Sequence, residues 1–160
     1  DWRLGTLLAF GVAFLETVAM WWVYFRIAIR DASRVITESD DPGRIGAYFH
    51  YVHVIILGSV ILCAVGSELV IAHPVGHLTA TVTSVLLAGP MAFLAGMAIY
   101  KFVVYGRPPL SHLVGLVLMP ALLLPLTASH SALLMQGGSA MLLLGVGCWE
   151  MLSRQGVLRI

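Results

Sequence analysis

The sequence predicts an all-helical fold, a polytopic bundle of about five transmembrane helices. Hydrophobic residues make up 59% of the 160 residues and charged residues only 11%, whereas soluble proteins average about 45–50% and about 25%. Residues 108–149 contain no Asp, Glu, Lys or Arg, and this stretch is about twice as long as the roughly 20 apolar residues that one membrane-spanning helix needs. The few cations fall in clusters between such stretches. We therefore expect lipid to surround most of the chain.

We expect five spans, each bounded where an apolar stretch meets charged or turn-forming residues. Each span must be a helix, because hydrocarbon offers no hydrogen-bond partners to free backbone groups. The expected bounds are Leu4 to Phe25, Ile45 to Ala72, Leu78 to Tyr100, Pro109 to Ala128 and Ser131 to Leu152.

Local signals support the first two spans. The first span ends in the aromatic-rich residues 21–25, which are typical of the membrane interface. The loop after it contains the turn sequence Asp-Asp-Pro-Gly at 40–43. Asp41 can cap the second helix with Pro42 at its first position, and Pro74 follows the expected end of that helix.

The remaining spans have weaker boundaries. The third span carries small residues at four-residue steps, on which another helix can pack closely: Ala88, Ala92 and Gly96. Pro108 and Pro109 open the fourth span, and the interior residues Pro120 and Pro125 predict a bend in it. Only the polar residues 127–131 separate the fourth span from the fifth, so a re-entrant arrangement is the alternative there.

Positive charge predicts the orientation. With five spans, all but one of the nine Lys and Arg residues fall on one side of the membrane, and only Arg3 lies opposite. Because cytoplasmic loops are enriched in cations, the N-terminus is expected outside and the C-terminus in the cytoplasm. The cations on the expected cytoplasmic side are Arg26, Arg30, Arg34, Arg44, Lys101, Arg107, Arg154 and Arg159.

Several classes of protein lack support. No basic patch with interleaved aromatic residues suggests a nucleic-acid partner. No phosphate loop, nucleophile elbow, HExxH or CxxC motif is present. The sequence therefore assigns no catalytic residue and favours a non-enzymatic protein. Cys63 and Cys148 lie inside apolar runs, where we expect them to pack as small hydrophobic residues and not to form a disulfide.

Glu16 is the sharpest candidate for a functional residue. It lies twelve residues after Leu4 and nine before Phe25, near the middle of the first span. A carboxylate at that depth costs several kcal/mol unless it is protonated, paired or hydrated, and such residues are functional candidates by default. The alternative is a neutral acid that only joins two helices by a hydrogen bond.

The second span carries His50, His53 and Glu68. At 100° per residue, the eighteen residues between His50 and Glu68 make five turns and place both on one stripe, with His53 about 60° away. This face is predicted to line a path for an ion or small solute together with Glu16, because imidazoles near a buried carboxylate suit proton relay or cation passage. Alternatively, the histidines and Glu68 simply reach the two membrane interfaces.

Histidines also raise the possibility of haem or metal. His50 or His53 could meet His112 at one end of the bundle, and His73 could meet His130 at the other, where His77 also lies in an outer loop. Bis-His ligation is a known way to hold haem iron. No further thiol or carboxylate has a ligand-like spacing, so no metal ligand is assigned and the cofactor stays unknown.

Several motifs resemble the bacterial low temperature requirement A family. They are Trp-Trp-Val-Tyr-Phe at 21–25, Tyr-Phe-His-Tyr-Val-His at 48–53 leading into Ile-Leu-Gly at 56–58, and Gly-Ser-Glu at 66–68 with His-Pro at 73–74. The resemblance covers most of this chain but only the C-terminal part of the family pattern, whose N-terminal segments rich in Glu, Phe, Asp and Arg have no counterpart here. The positions that match the family motif are Trp21, Trp22, Tyr24, Phe25, Tyr51, His53 and Glu68.

The resemblance implies a multi-span protein of the bacterial cytoplasmic (inner) membrane with undefined activity. We expect residues 1–160 to form one transmembrane domain of a longer membrane protein. Its expected partners are the lipid bilayer and other membrane helices, from the missing N-terminal part, an oligomer or partner subunits. The leading hypothesis is transport or sensing of a small solute or ion. The alternatives are a structural or accessory membrane subunit and a haem- or metal-bearing redox protein or intramembrane enzyme.

Overall fold

The computed structural model describes residues 4–25, 28–74 and 78–154, and regular structure within them is helical throughout. Five of the helices are long and apolar enough to cross a membrane, as predicted. The sixth, α2, is a ten-residue helix in the first loop. The helices are α1 (Leu4–Phe25), α2 (Ala28–Thr37), α3 (Pro42–Ala72), α4 (Ala80–Tyr105), α5 (Leu110–Leu126) and α6 (Ala132–Arg154), with a 3₁₀ turn at Thr127–Ser129 between the last two.

Both ends of α3 are capped as the sequence predicts. The Asp41 carboxylate accepts a hydrogen bond from the backbone N–H of Arg44 at 3.0 Å, and Pro42 occupies the first turn. The helix therefore begins at Pro42, three residues before the predicted start at Ile45, and it ends with His73 as its C-terminal cap, just before Pro74. This prediction of the cap and the stop is confirmed.

The five long helices form a bundle in which α6 contacts α1, α3, α4 and α5. The most extensive contacts join α3 with α4 and α1 with α6. Fully buried side chains such as Phe93, Met97, Met119 and Leu143 fill the interior. The outward faces carry many exposed large apolar side chains, a surface that suits hydrocarbon and not water.

The close seam between α3 and α4 differs from the expected stripe. Gly96 is buried, and a Cβ atom placed on it would lie 2.9 Å from Cγ1 of Ile56, but Ala88 is exposed. The second close contact is at Gly89. Gly89 is seven residues before Gly96 and therefore lies within about 20° of the same helix face, whereas Ala88 is eight residues before it and lies about 80° away.

The helix α4 is longer than predicted. We expected this span to end at Tyr100 and counted Lys101 among the loop cations, but the helix continues to Tyr105 and buries Lys101. Gly106 then ends it at φ 66°, a left-handed conformation that glycine adopts without strain. The helix continues past the lysine because a carboxylate from α6 meets its charge inside the bundle.

The two spans after this loop are separated by a tight turn. The 3₁₀ turn at Thr127–Ser129 is followed by His130 at φ 53°. Segments Leu110–Ser129 and Ala132–Ser153 are each long enough to cross the membrane. This geometry favours five spans over the re-entrant alternative.

Candidate functional site

Glu16 lies at the centre of a buried polar group that joins α1, α3 and α6. We call Glu16, Ser67, Gln136 and Ser139 the mid-span cluster. Nε2 of Gln136 donates to Oε2 of Glu16 at 3.0 Å and to Oγ of Ser67 at 2.7 Å. The Ser139 hydroxyl donates to Oε1 of Glu16. Both carboxylate oxygens are therefore held by neutral donors from α6.

The helix sequences explain this arrangement. Gln136 and Ser139 are three residues apart on α6, so they share one face. Ala9, Ala13 and Ala19 of α1 are buried on the same side as Glu16, and such small side chains let a neighbouring helix approach closely. Glu16 lies about 18 Å along the axis from Leu4 and about 14 Å from Phe25. The cluster is therefore near mid-depth in the span.

Three members of the mid-span cluster are closed to solvent and Ser67 is half-buried, and one acceptor of the cluster lacks a partner among the described residues. Glu16 is 3% exposed and Gln136 is 0% exposed. Oε1 of Gln136 is buried without a hydrogen-bond partner among the described residues, an arrangement that costs about 1–3 kcal/mol. The ion pairs among the described residues do not include Glu16. Within those residues the cluster thus combines an acid without a basic partner and an unused acceptor.

A second group lies two helical turns from Glu16 along α1. The Tyr24 hydroxyl and Nε2 of His53 are 2.7 Å apart, and Nδ1 of His53 is 2.9 Å from the Phe49 carbonyl oxygen. Because a carbonyl oxygen only accepts, Nδ1 is the donor there, and in the neutral ring Nε2 accepts from Tyr24. The ring of Tyr100 stands edge-on to His53 with centroids 5.5 Å apart.

The structure does not bring the four expected path residues together. Glu16 faces α6, and half-buried His53 contacts α1 through Tyr24. His50 and Glu68 are exposed on the outer surface of α3. The residues of the family motif also differ in burial. Tyr24 is half-buried next to His53, whereas the rings of Trp21, Phe25 and Tyr51 are exposed.

The structure also shows a buried ion pair that the sequence reasoning missed. Lys101 is 1% exposed, and its Nζ lies 2.8 and 2.7 Å from the two carboxylate oxygens of Glu150. The same Nζ is 3.0 Å from Nε2 of His112, whose Nδ1 is 3.1 Å from Oγ of Ser111. We call these four residues the Lys101 cluster. One signal was available, because Glu150 is the only acidic residue after Glu68 in the sequence.

A cavity of about 540 Å³ adjoins the Lys101 cluster at the end of the bundle where α4 meets α5. Lys101, Tyr105, Arg107 and Glu150 contribute to its lining. Lys101 and Glu150 neutralise each other at 2.7 Å, so Arg107 supplies the additional positive charge of this lining. The cavity is a partly polar cleft at one end of the bundle.

The described histidines do not form the pairs that a haem or metal site would need. Both ring nitrogens of His53 and of His112 have hydrogen-bond partners in the fold. His73 and His130 are exposed, and His77 lies outside the described residues. No cluster of three or more His, Cys, Asp or Glu side chains suited to a metal occurs within residues 4–25, 28–74 and 78–154. Cys63 and Cys148 are free thiols, the former buried and the latter exposed.

Comparison with known proteins decides the family. The family model described as bacterial low temperature requirement A protein (LtrA) matches residues 1–148. The chain belongs to the LtrA family. The LtrA chain is also 34% identical over 149 residues to an uncharacterized protein of Rhizobium meliloti (strain 1021), and the match covers 91% of this chain but 36% of that relative. No solved structure matches the chain.

These matches confirm the resemblance drawn from the aromatic and histidine motifs. Family membership and the five long apolar helices make this chain a membrane protein. Because the chain spans about a third of the length of its curated relative, the activity, substrates and partners of a whole LtrA protein are matters for proposal.

Proposed function

We propose that this LtrA protein passes a small ion across the bacterial cytoplasmic membrane, with Glu16 as the group that binds it. The main support for this proposal is the carboxylate of Glu16, which is 3% exposed near the middle of a membrane-spanning helix and is held by neutral donors. A lysine or arginine partner would fix such a charge permanently, whereas neutral donors leave it available to a mobile ion.

His53 is the second polar group on the proposed ion path. Tyr24 is eight residues after Glu16, about 12 Å along α1, and its hydroxyl contacts His53 at 2.7 Å. An imidazole can accept a proton at one ring nitrogen and donate one from the other, which suits proton exchange. The path therefore runs from the mid-span cluster along the α1–α3 interface toward the end of the bundle that holds the Lys101 cluster.

His50 and Glu68 extend the path where another membrane helix covers the outer face of α3. Both side chains are exposed in this chain, and ionisable groups inside membranes face protein or water and not lipid. The covering helix belongs to a second copy, a partner subunit or a further part of a longer protein.

The proposed orientation places the α4–α5 loop and the end of α6 in the cytoplasm. Adjacent spans run in opposite directions, so the first loop, the α4–α5 loop and the end of α6 share one side. Arg34, Arg44 and Arg107 lie in or next to those loops, and cytoplasmic loops are the cation-rich ones.

Ion flux into liposomes tests the proposed function. We expect wild-type protein to carry protons or sodium down an imposed gradient, Glu16→Gln to fall to the rate of protein-free liposomes, and His53→Ala to be slower than wild type. Thr17→Val is the matched control, because Thr17 is exposed beside Glu16 and donates only to the Ala13 carbonyl of its own helix. Equal flux in wild type and Glu16→Gln would refute the proposed role of Glu16.

The same experiment distinguishes ion passage from the second candidate function, that of a structural or accessory membrane subunit. The mid-span cluster joins three helices by hydrogen bonds, as polar residues do when they hold membrane helices together. Absence of flux from folded wild-type protein, together with a loss of thermal stability in Glu16→Gln, would favour this structural role.

A further inference from the structure

We propose that one anionic phospholipid binds at the outer surface of α5 and α6, with its headgroup in the cleft beside the Lys101 cluster and an acyl chain between the two helices. Two adjoining cavities provide the two parts of this site. The first is the cleft of about 540 Å³ described above. The second is an apolar cavity of about 420 Å³ between α5 and α6, which we call the α5–α6 groove. Both volumes lie in the range of about 300–1,000 Å³ that is usual for ligand sites.

The cleft and the α5–α6 groove are continuous. Ser111 and Trp149 line both of them, so the partly polar space opens directly into the apolar one. Apart from these two residues, the groove is lined only by glycine and by aliphatic side chains such as the exposed Leu122 and Met141. An indole ring at the junction is typical of the depth of the lipid headgroups. A polar cleft that leads into an apolar groove on a lipid-facing surface matches the two parts of a phospholipid.

The length of the groove fits a lipid chain better than a further membrane-spanning helix. Its lining extends from Gly138 to Trp149 on α6, about 17 Å along the axis, and from Ser111 to Leu126 on α5, about 23 Å. The hydrocarbon core of a bilayer is about 30 Å thick. The groove therefore starts at one end of the bundle and stops before it has crossed the membrane. A spanning helix would need the full thickness, whereas a chain from one leaflet does not.

Gly145 keeps the groove open. It is exposed, and a Cβ atom placed on it would meet no atom within 4 Å. The other two glycines of the lining differ, because a Cβ atom on Gly115 would lie 2.8 Å from Val146 and one on Gly138 would lie 2.6 Å from Leu123. Those two glycines let α5 and α6 approach each other. The space in front of Gly145 is not filled by the described residues of this chain, and it is available to an acyl chain.

Charge in the cleft selects an anionic headgroup. Among the charged residues of its lining, Lys101 and Glu150 neutralise each other at 2.7 Å, which leaves Arg107. Arg107 is exposed, and the ion pairs among the described residues do not include it. The first turn of α5, which begins at Leu110, also lines the cleft, and the positive end of its dipole favours an anion. Basic pockets between membrane helices on the cytoplasmic side bind anionic headgroups, and the proposed orientation puts the cleft on that side.

Native mass spectrometry of the purified protein in detergent tests this site. The protein is titrated with phosphatidylglycerol or with phosphatidylcholine of the same acyl chains, and we expect one phosphatidylglycerol per chain to bind more tightly than phosphatidylcholine. Arg107→Gln should weaken phosphatidylglycerol binding about fivefold, the effect of one basic residue at an anionic membrane surface, and should leave phosphatidylcholine binding unchanged. Arg44→Gln is the matched control, because Arg44 is exposed but does not line the cleft.

Gly145→Leu tests the part of the site that holds the acyl chain. The new side chain enters open space, so the fold is retained while the groove is filled. We expect the tight binding of phosphatidylglycerol to be lost and that of phosphatidylcholine to be weakened. Gly11→Leu is the control, because it makes the same change at an exposed, open position on α1. Size-exclusion profiles check the fold of all four variants.

Equal phosphatidylglycerol affinity in wild type and Arg107→Gln, or in wild type and folded Gly145→Leu, would overturn the lipid site. Competition by inorganic phosphate, with no effect of Gly145→Leu, would overturn it and show that the cleft holds a free phosphate. A dimer that excludes lipid and that Gly145→Leu dissociates would also overturn it and assign the groove to a second copy of the chain. Ion flux is not measured here, so the proposed function keeps its own separate test.

Discussion

Lys101→Met is expected to lower the free energy of unfolding by about 3–5 kcal/mol, the cost of leaving one member of a buried ion pair without its partner. Lys101 is 1% exposed and bonds both carboxylate oxygens of Glu150 and the imidazole of His112. Methionine fills a similar volume but leaves the Glu150 carboxylate without its cation. The loss is measured as a lower midpoint of thermal unfolding in detergent micelles.

A double variant distinguishes lost pairing from lost packing. Lys101→Met with Glu150→Met removes both charges, and we expect it to recover much of the stability, because apolar replacement of a whole buried pair is often neutral or stabilising. Arg107→Met at the exposed α4–α5 loop is the control and should change the midpoint little. A single variant as stable as wild type would show that the pair does not hold α4 against α6.

Gly89→Ala is expected to lower the free energy of unfolding by about 1–3 kcal/mol, the usual cost of an extra methyl in a closely packed interior. The new Cβ atom would lie 2.8 Å from Sγ and 3.0 Å from the backbone nitrogen of Cys63. Because a backbone atom of α3 cannot move aside as a side-chain tip can, the two helices must separate. The gain of about 0.5–1 kcal/mol that alanine brings within a helix offsets only part of this cost.

Gly58→Ala is the matched control for Gly89→Ala. It makes the same chemical change on α3, where the added Cβ atom meets no atom within 4 Å. We expect its unfolding midpoint to be unchanged or slightly raised. Equal effects of the two substitutions would show that glycine at 89 matters for backbone propensity and not for the approach of α3 to α4.

The spans and their caps were predictable because they depend on local composition. An apolar stretch of sufficient length must be helical in hydrocarbon, whatever its neighbours are. The cap at Asp41 and the stop before Pro74 follow from residues close to them in sequence. Even the depth of Glu16 follows from counting along one helix.

The partners of these polar residues were not predictable, because they depend on how the helices rotate against each other. Nothing near Glu16 in sequence indicates that Gln136 and Ser139 bind it from α6. The prediction put Lys101 in a loop for the same reason. A lysine at the end of an apolar stretch is expected outside the membrane, and only the fold shows that Glu150, 49 residues later, faces it. The exposure of His50 and Glu68 likewise follows from which faces of α3 meet α1 and α4.

Glu16 lies at mid-depth if the five long helices cross the membrane in alternation. Labelling of single cysteines by a membrane-impermeant maleimide in intact cells measures this alternation, in a background with Cys63→Ala and Cys148→Ala. Glu38, His73, Arg107 and Ala128 are exposed near the four successive connections between spans. We predict labelling at His73→Cys and Ala128→Cys in intact cells, and at Glu38→Cys and Arg107→Cys only after the membrane is permeabilised. Labelling of neighbouring connections from the same side would contradict the alternation and remove Glu16 from the middle of the membrane.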